Sequence, residues 1–207
     1  MVVTKTFLSL VITLLIMSNI VCAAVTAAVQ APNTKRAEAA VARGDWQTAA
    51  QEYLEAIAAS QPTVDSELYH QLALCYGHLG KFQNALVNFD LAIKLNPTIP
   101  VYFYDRGITN NLNGDANHAL EDFTEAITLD NEYVAAYYAR GIVYGQRGEY
   151  EFAMSDFDCV VGKLPDDYRA YYWRGKIEFL QGNKTAANKE YAKAVKLAGV
   201  QLPIYSK

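Results

Sequence analysis

One spacing governs what this chain can become. Tyr104, Arg106 and Gly107 recur as Tyr138, Arg140 and Gly141, and again as Tyr172, Arg174 and Gly175, each step being 34 residues. A fixed period of that length means that one supersecondary unit is stacked on copies of itself. Aligned on Gly44, Gly80, Gly114, Gly148 and Gly182, the chain divides into five units that begin at Gln30, Ser66, Pro100, Val134 and Tyr168. The first step is two residues longer than the others, which places the insertion in the loop from Ser60 to Asp65.

Inside each unit, apolar and small residues recur at helical spacing in two segments separated by the glycine turn. Glycine there can take the left-handed conformation that ends a first helix. Small residues at unit positions 8 and 20 let the two helices approach closely, and aromatics fill the space beside them. Each hairpin has apolar surface on both sides and must stack on neighbours to bury it. The predicted fold class is therefore all-α: five helix-turn-helix repeats of 34 residues in tandem.

The pattern resembles the tetratricopeptide repeat family over essentially all of the chain after its N-terminal segment. Unit two carries the family's residues at Tyr69, Ala73, Tyr76, Ala85, Phe89, Ala92 and Pro97. Unit three has Phe103, Gly107, Ala119, Phe123 and Ala126, departing at Asn110 and Asn131; unit four has Tyr137, Gly141, Tyr144, Ala153, Phe157 and Pro165, with Val160 in place of Ala. Unit five has Tyr171, Gly175, Ala187, Tyr191 and Ala194, while unit one keeps Ala37, Ala49, Tyr53 and Ala56 but has Asn33 where the aromatic belongs. The resemblance implies a right-handed α-solenoid with units at 30–65, 66–99, 100–133, 134–167 and 168–201 and a C-terminal tail at 202–207. It also implies a non-catalytic protein-interaction module that needs no cofactor.

Comparison of the units with one another adds a pairing. Position 7 reads Arg36, Leu72, Arg106, Arg140 and Arg174, and position 23 reads Glu52, Asn88, Asp122, Asp156 and Glu190. Where position 7 is Arg, position 23 of the same unit is acidic, and both charges vanish together in unit two. This predicts Arg–carboxylate staples within four units: Arg36–Glu52, Arg106–Asp122, Arg140–Asp156 and Arg174–Glu190.

In the family the first helix of each unit lines a concave groove through positions that include 5 and 9. Those positions here supply His70, Leu74, Tyr104, Ile108, Tyr138, Ile142, Tyr172 and Lys176, preceded in unit one by Thr34 and Glu38. Aromatics with a polar tip make good anchors for a protein or peptide ligand. The family's clamp for a chaperone's terminal carboxylate needs Lys and Asn at set positions, and Thr34, Glu38, Gln71, Val101 and Asp105 do not supply it. An enzyme is not indicated either: His70 and His78 stand eight residues apart on one helix, and no grouping for metal binding or nucleophilic attack is visible. Asp115 in the turn Asn111–Asn117 reads as a helix cap.

Charge is asymmetric. Residues 31–168 hold 9 Lys and Arg against 20 Asp and Glu, giving −11, whereas 169–207 hold 8 against 2, giving +6. The acidic body argues against nucleic acid as the partner, while the basic end could be a solvated lysine face or meet another copy or an anionic membrane. At the N-terminus, Lys5 precedes an apolar stretch from Phe7 to Met17 and small residues suited to signal-peptidase cleavage after Ala23 or near Ala28. Residues 1–28 are thus read as a signal peptide or an uncleaved membrane anchor, and the rest as exported, periplasmic or secreted. Cys75 and Cys159, in non-adjacent units, read as two small packed residues. The functional expectation is an exported module that scaffolds or recruits proteins through a tyrosine-lined groove. The alternative is a structural subunit of an envelope oligomer, assembled by self-association through a C-terminal repeat that lacks the extra capping helix.

Overall fold

The computed structural model describes residues 34–60 and 64–200, so the segment read as a signal or anchor (1–28) and the tail (202–207) lie outside the described residues. The described chain is helical, with no strand. Helix α1 covers 34–42. Then follow α2 (Trp46–Ala59), α3 (Ser66–His78), α4 (Phe82–Leu95), α5 (Pro100–Leu112) and α6 (Ala116–Leu129). The series closes with α7 (Val134–Gln146), α8 (Tyr150–Lys163), α9 (Tyr168–Leu180) and α10 (Lys184–Ala198). The chain forms two compact units that divide between Leu95 and Asn96.

Local chemistry explains each boundary. Gly44, Gly80, Gly114, Gly148 and Gly182 all have φ between 70° and 88°, the left-handed region in which only glycine is unstrained. Asp45, Asp65, Asp115 and Asp167 cap the helices that follow them by accepting backbone N–H bonds from Thr48, Glu67, His118 and Arg169. Pro100 opens α5, where a missing N–H costs nothing.

In the first unit, α3 packs on α2 and on α4; in the second, α5 packs on α6, α7 on α8 and α9 on α10, with α7 also against α6 and α9 against α8. The centre of each hairpin is the aromatic at position 24: Tyr53, Phe89, Phe123, Phe157 and Tyr191 are all at most 3% exposed. Alanines 49, 85, 119, 153 and 187 at position 20 are equally enclosed. Repeats three to five, which make up the second compact unit, use glycine at position 8 because the ring of the partner helix lies directly over it. A Cβ on Gly107 would stand 2.7 Å from Phe123 Cε1, and one on Gly175 2.8 Å from Tyr191 Cδ1. That contact fixes the hairpin geometry, and with it the direction in which the first helices present positions 5 and 9.

Candidate functional site

Four Arg–carboxylate contacts cross between the two helices of one hairpin. Arg36 Nη2 is 2.8 Å from Glu52 Oε2, Arg106 Nη2 2.6 Å from Asp122 Oδ1, Arg140 Nη2 2.7 Å from Asp156 Oδ1, and Arg174 Nη2 3.1 Å from Glu190 Oε1. Arg106 and Arg140 each give Nε and Nη2 to the carboxylate, the bidentate geometry that guanidinium favours. In unit two, Leu72 is buried in a core it shares with α1 and α2, and Asn88 donates back to the Asn84 carbonyl of its own helix at 2.8 Å.

Asn110, the departure from the family's aromatic, has a role here: its side-chain amide donates to Asp122 Oδ2 at 2.9 Å, inside the protein. A further connection was not anticipated. Arg140 Nη1 also donates to Thr124 Oγ1 at 3.0 Å, and Arg174 Nη1 lies 3.3 Å from Asp158 Oδ1. Each is position 25 of the preceding repeat, so one guanidinium ties its own hairpin to the neighbour. The sequence carries a faint trace of this, since Leu54 stands at position 25 before Leu72, polar groups being absent from both. Arg147 with Asn117, and Lys163 with Glu132, both at 2.6 Å, add exposed clips between hairpins of the second unit.

The tyrosines at position 5 occupy one register on α5, α7 and α9, and each is half-buried. Each ring rests on the position-24 aromatic of its own hairpin: Tyr104 lies 5.9 Å from Phe123, Tyr138 5.8 Å from Phe157 and Tyr172 5.7 Å from Tyr191. Tyr133 meets Tyr104 edge-on at 5.3 Å. Ile108 and Ile142 flank the same rings as partly buried side chains. Burial raises the hydroxyl pKa of Tyr104 and Tyr138, and that of Tyr133 to about 12, so all three act as neutral phenols at ordinary pH.

Two cations stand beside this row. The Arg169 guanidinium lies 5.3 Å from the Tyr138 ring centre and is held by Asp167, whose Oδ2 is 2.7 Å from Nη2. The Lys176 ammonium sits 4.3 Å over the Trp173 ring, and Trp173 in turn stacks on Phe157 at 6.1 Å. Arg169 and Trp173, at positions 2 and 6, were absent from the expected groove set.

Repeat two departs from the expected row. His70 is only 5% exposed, tilted over Phe89 at 5.8 Å with Glu67 Oε1 3.5 Å from its Nδ1. Its five-membered ring is too short to reach past Phe89, so it joins the hairpin core rather than the surface. Leu74 is half-buried against Ala73, Ala85 and Phe89.

Comparison with known proteins places these features. Sequence profiles described as tetratricopeptide repeat match residues 66–99 and 138–200. No curated protein matches the chain in sequence. Among solved structures, a MamA crystal structure superposes with a TM-score of 0.74 at 23% identity, covering 85% of this chain and 97% of that one. MamA from Desulfovibrio magneticus RS-1 gives 0.76 at 19% identity, covering 83% and 96%. YrrB, described as a TPR protein with an unusual peptide-binding site, gives 0.68 at 19% identity over 81% of this chain and 86% of its own. At these identities the likeness is one of fold.

Proposed function

The chain belongs to the tetratricopeptide repeat family, and from that premise we propose that it is an exported interaction module that recruits or scaffolds other proteins through the tyrosine row of α5, α7 and α9. Modules of this fold work by holding partners rather than by catalysis, and YrrB, of similar fold, is described as having a peptide-binding site. The observation that carries the reading is the register of Tyr104, Tyr138 and Tyr172, each only partly buried and braced from beneath by a buried ring. A braced tyrosine loses little conformational freedom when it binds and offers both a flat apolar face and a hydroxyl, which suits an anchor at a protein interface.

Export rests on the N-terminal sequence: one positive charge, an apolar stretch and small residues before a cleavage point. The test is affinity capture from the native envelope with the mature chain and with its Tyr104→Ala, Tyr138→Ala, Tyr172→Ala variant, the latter verified as folded by circular dichroism. A specific partner lost only with the variant supports the row as the recruiting surface. The same proteins captured by both would remove it and turn attention to the basic C-terminal helices. N-terminal sequencing of the protein recovered from its source reads out cleavage.

A further inference from the structure

The second unit contains a pocket of about 230 Å³ at the C-terminal ends of α7 and α9, lined by Gly145, Gln146, Tyr150, Trp173, Lys176, Ile177 and Leu180. Its floor is Gly145, and nothing in the packing requires glycine there. A Cβ at Gly145 would meet Ile177 Cδ1 at 3.7 Å and Ala153 Cβ at 3.9 Å, ordinary contact distances. This differs from Gly107, Gly141 and Gly175, where the added atom would fall within 2.7 to 3.1 Å of an aromatic ring. Nor is its backbone left-handed, as it is at the five turn glycines. Gly77, at the same repeat position on α3, is as unconstrained, so what Gly145 contributes is open space beside the pocket at some cost in helix propensity.

The walls say what that space suits. Trp173, Tyr150 and Leu180 bring apolar surface, Leu180 being 52% exposed, and Gln146 and Lys176 bring polar surface in comparable measure. An apolar cavity of ~150 Å³ already admits a benzene-sized ring, so this one has room for a large side chain. Among the described residues the lining carries one formal charge, the Lys176 ammonium over the Trp173 ring. A cation beside exposed apolar side chains complements a carboxylate next to an apolar group.

We propose that this pocket takes the phenylalanine- or leucine-sized side chain of a bound peptide, whose neighbouring Asp or Glu meets Lys176. The proposal rests on the peptide-recruiting reading of the α5, α7 and α9 faces and names the ligand class that reading leaves open. The pocket fixes register along the peptide, and the tyrosine row supplies further contact.

Trp173 makes the test direct. The chain has two tryptophans, so a Trp46→Phe background leaves Trp173 as the sole reporter on the pocket wall. Three capped nonapeptides on an alanine–serine backbone serve as probes, with Phe–Glu, Phe–Lys or Ala–Glu at the centre. Phe–Glu should change Trp173 emission saturably. Gly145→Leu fills the pocket from a position with space for its Cβ and should weaken that binding about tenfold or more, as expected for loss of a buried anchor, with the urea midpoint not lowered. Lys176→Glu gives up the contact with the Trp173 ring, so it is read against its own peptide-free emission, and it should reverse the preference from Phe–Glu to Phe–Lys.

Equal affinity for Phe–Glu and Ala–Glu, binding untouched by Gly145→Leu, an unchanged charge preference in Lys176→Glu, or no saturable binding of any probe overturns the pocket. The two readings separate cleanly. Phe–Glu binding lost in the triple tyrosine variant but kept in Gly145→Leu sinks the pocket and leaves the row. The opposite pattern supports the pocket and removes the row.

Discussion

A single methyl group separates two kinds of helical glycine in this chain. At Gly107 the added Cβ would lie 2.7 Å from Phe123 Cε1, in a ring with no exposed surface, so the hairpin must open or the ring must tilt. Gly107→Ala is expected to destabilise by about 1–3 kcal/mol, the usual penalty of overpacking. Gly145→Ala meets only ordinary contacts and should be neutral or stabilising by up to ~1 kcal/mol from helix propensity. Urea denaturation of the two variants beside the parent measures the contrast. A second residue-scale prediction concerns His118, whose Nδ1 is 2.6 Å from Asp115 Oδ2 at the start of α6. Hydrogen bonding to Asp115 raises the His118 pKa above its ordinary 6.5, and bonding to His118 lowers that of Asp115 below 3.8. A raised histidine pKa adds stability that is complete below 6.5 and fades as pH rises through the folded value. A lowered aspartate pKa adds stability present above 3.8 and lost as pH falls through the folded value. The α6 cap is thus firmest between those limits, and an NMR titration should find His118 titrating above 6.5.

Between helices, the value of an ion pair depends on where it sits. Asp156 is 4% exposed and faces Arg140 through two hydrogen bonds, so removing Arg140 leaves a carboxylate buried without its cation. Arg140→Ala should cost about 3 kcal/mol or more and also frees Thr124, loosening α7 from α6. Arg36, 58% exposed, makes the same contact at the surface of α1, and Arg36→Ala should cost less than about 1 kcal/mol. Chemical denaturation of both variants decides whether burial or mere pairing matters; equal losses would refute this ranking. Asn110 shows why sequence comparison reads such elements only in part. The co-occurrence of Arg and acid at positions 7 and 23 points to the helix–helix pairs. The asparagine looks like a defect in the repeat until its amide is seen bonded to Asp122.

At the scale of the molecule, the two thiols among the described residues report on interior order. Burial pushes the Cys75 thiol to about 11, and Cys75 is enclosed in the α2–α3 core, whereas Cys159 is only half-buried on α8. Alkylation depends on thiolate and access, so iodoacetamide near neutral pH should modify Cys159 first. Cys75 should react only as fast as its core opens. Peptide mapping by mass spectrometry over a time course reads both sites, and Cys75 labelling at the rate of Cys159 would show that this core is not closed. His70, which moved from the expected surface row into the hairpin, is covered by Phe89 of α4.

The sequence by itself determined the all-helical repeat, its 34-residue step and the left-handed glycine turns, because each rests on contacts between residues close in the chain and on a pattern written several times over. The reach of a side chain past its neighbour is not periodic, and there the tertiary structure decided. It buried His70 against Phe89 yet left Tyr104, Tyr138 and Tyr172 only partly buried at the same repeat position. It extended Arg140 and Arg174 beyond the pairs within their own hairpins to residues of the hairpin before. It separated Gly145, open to a pocket, from Gly107, pressed by a ring, although both read in sequence as small residues on a first helix. Local spacing specifies which helices form; only packing at a distance decides which side chains remain for a partner.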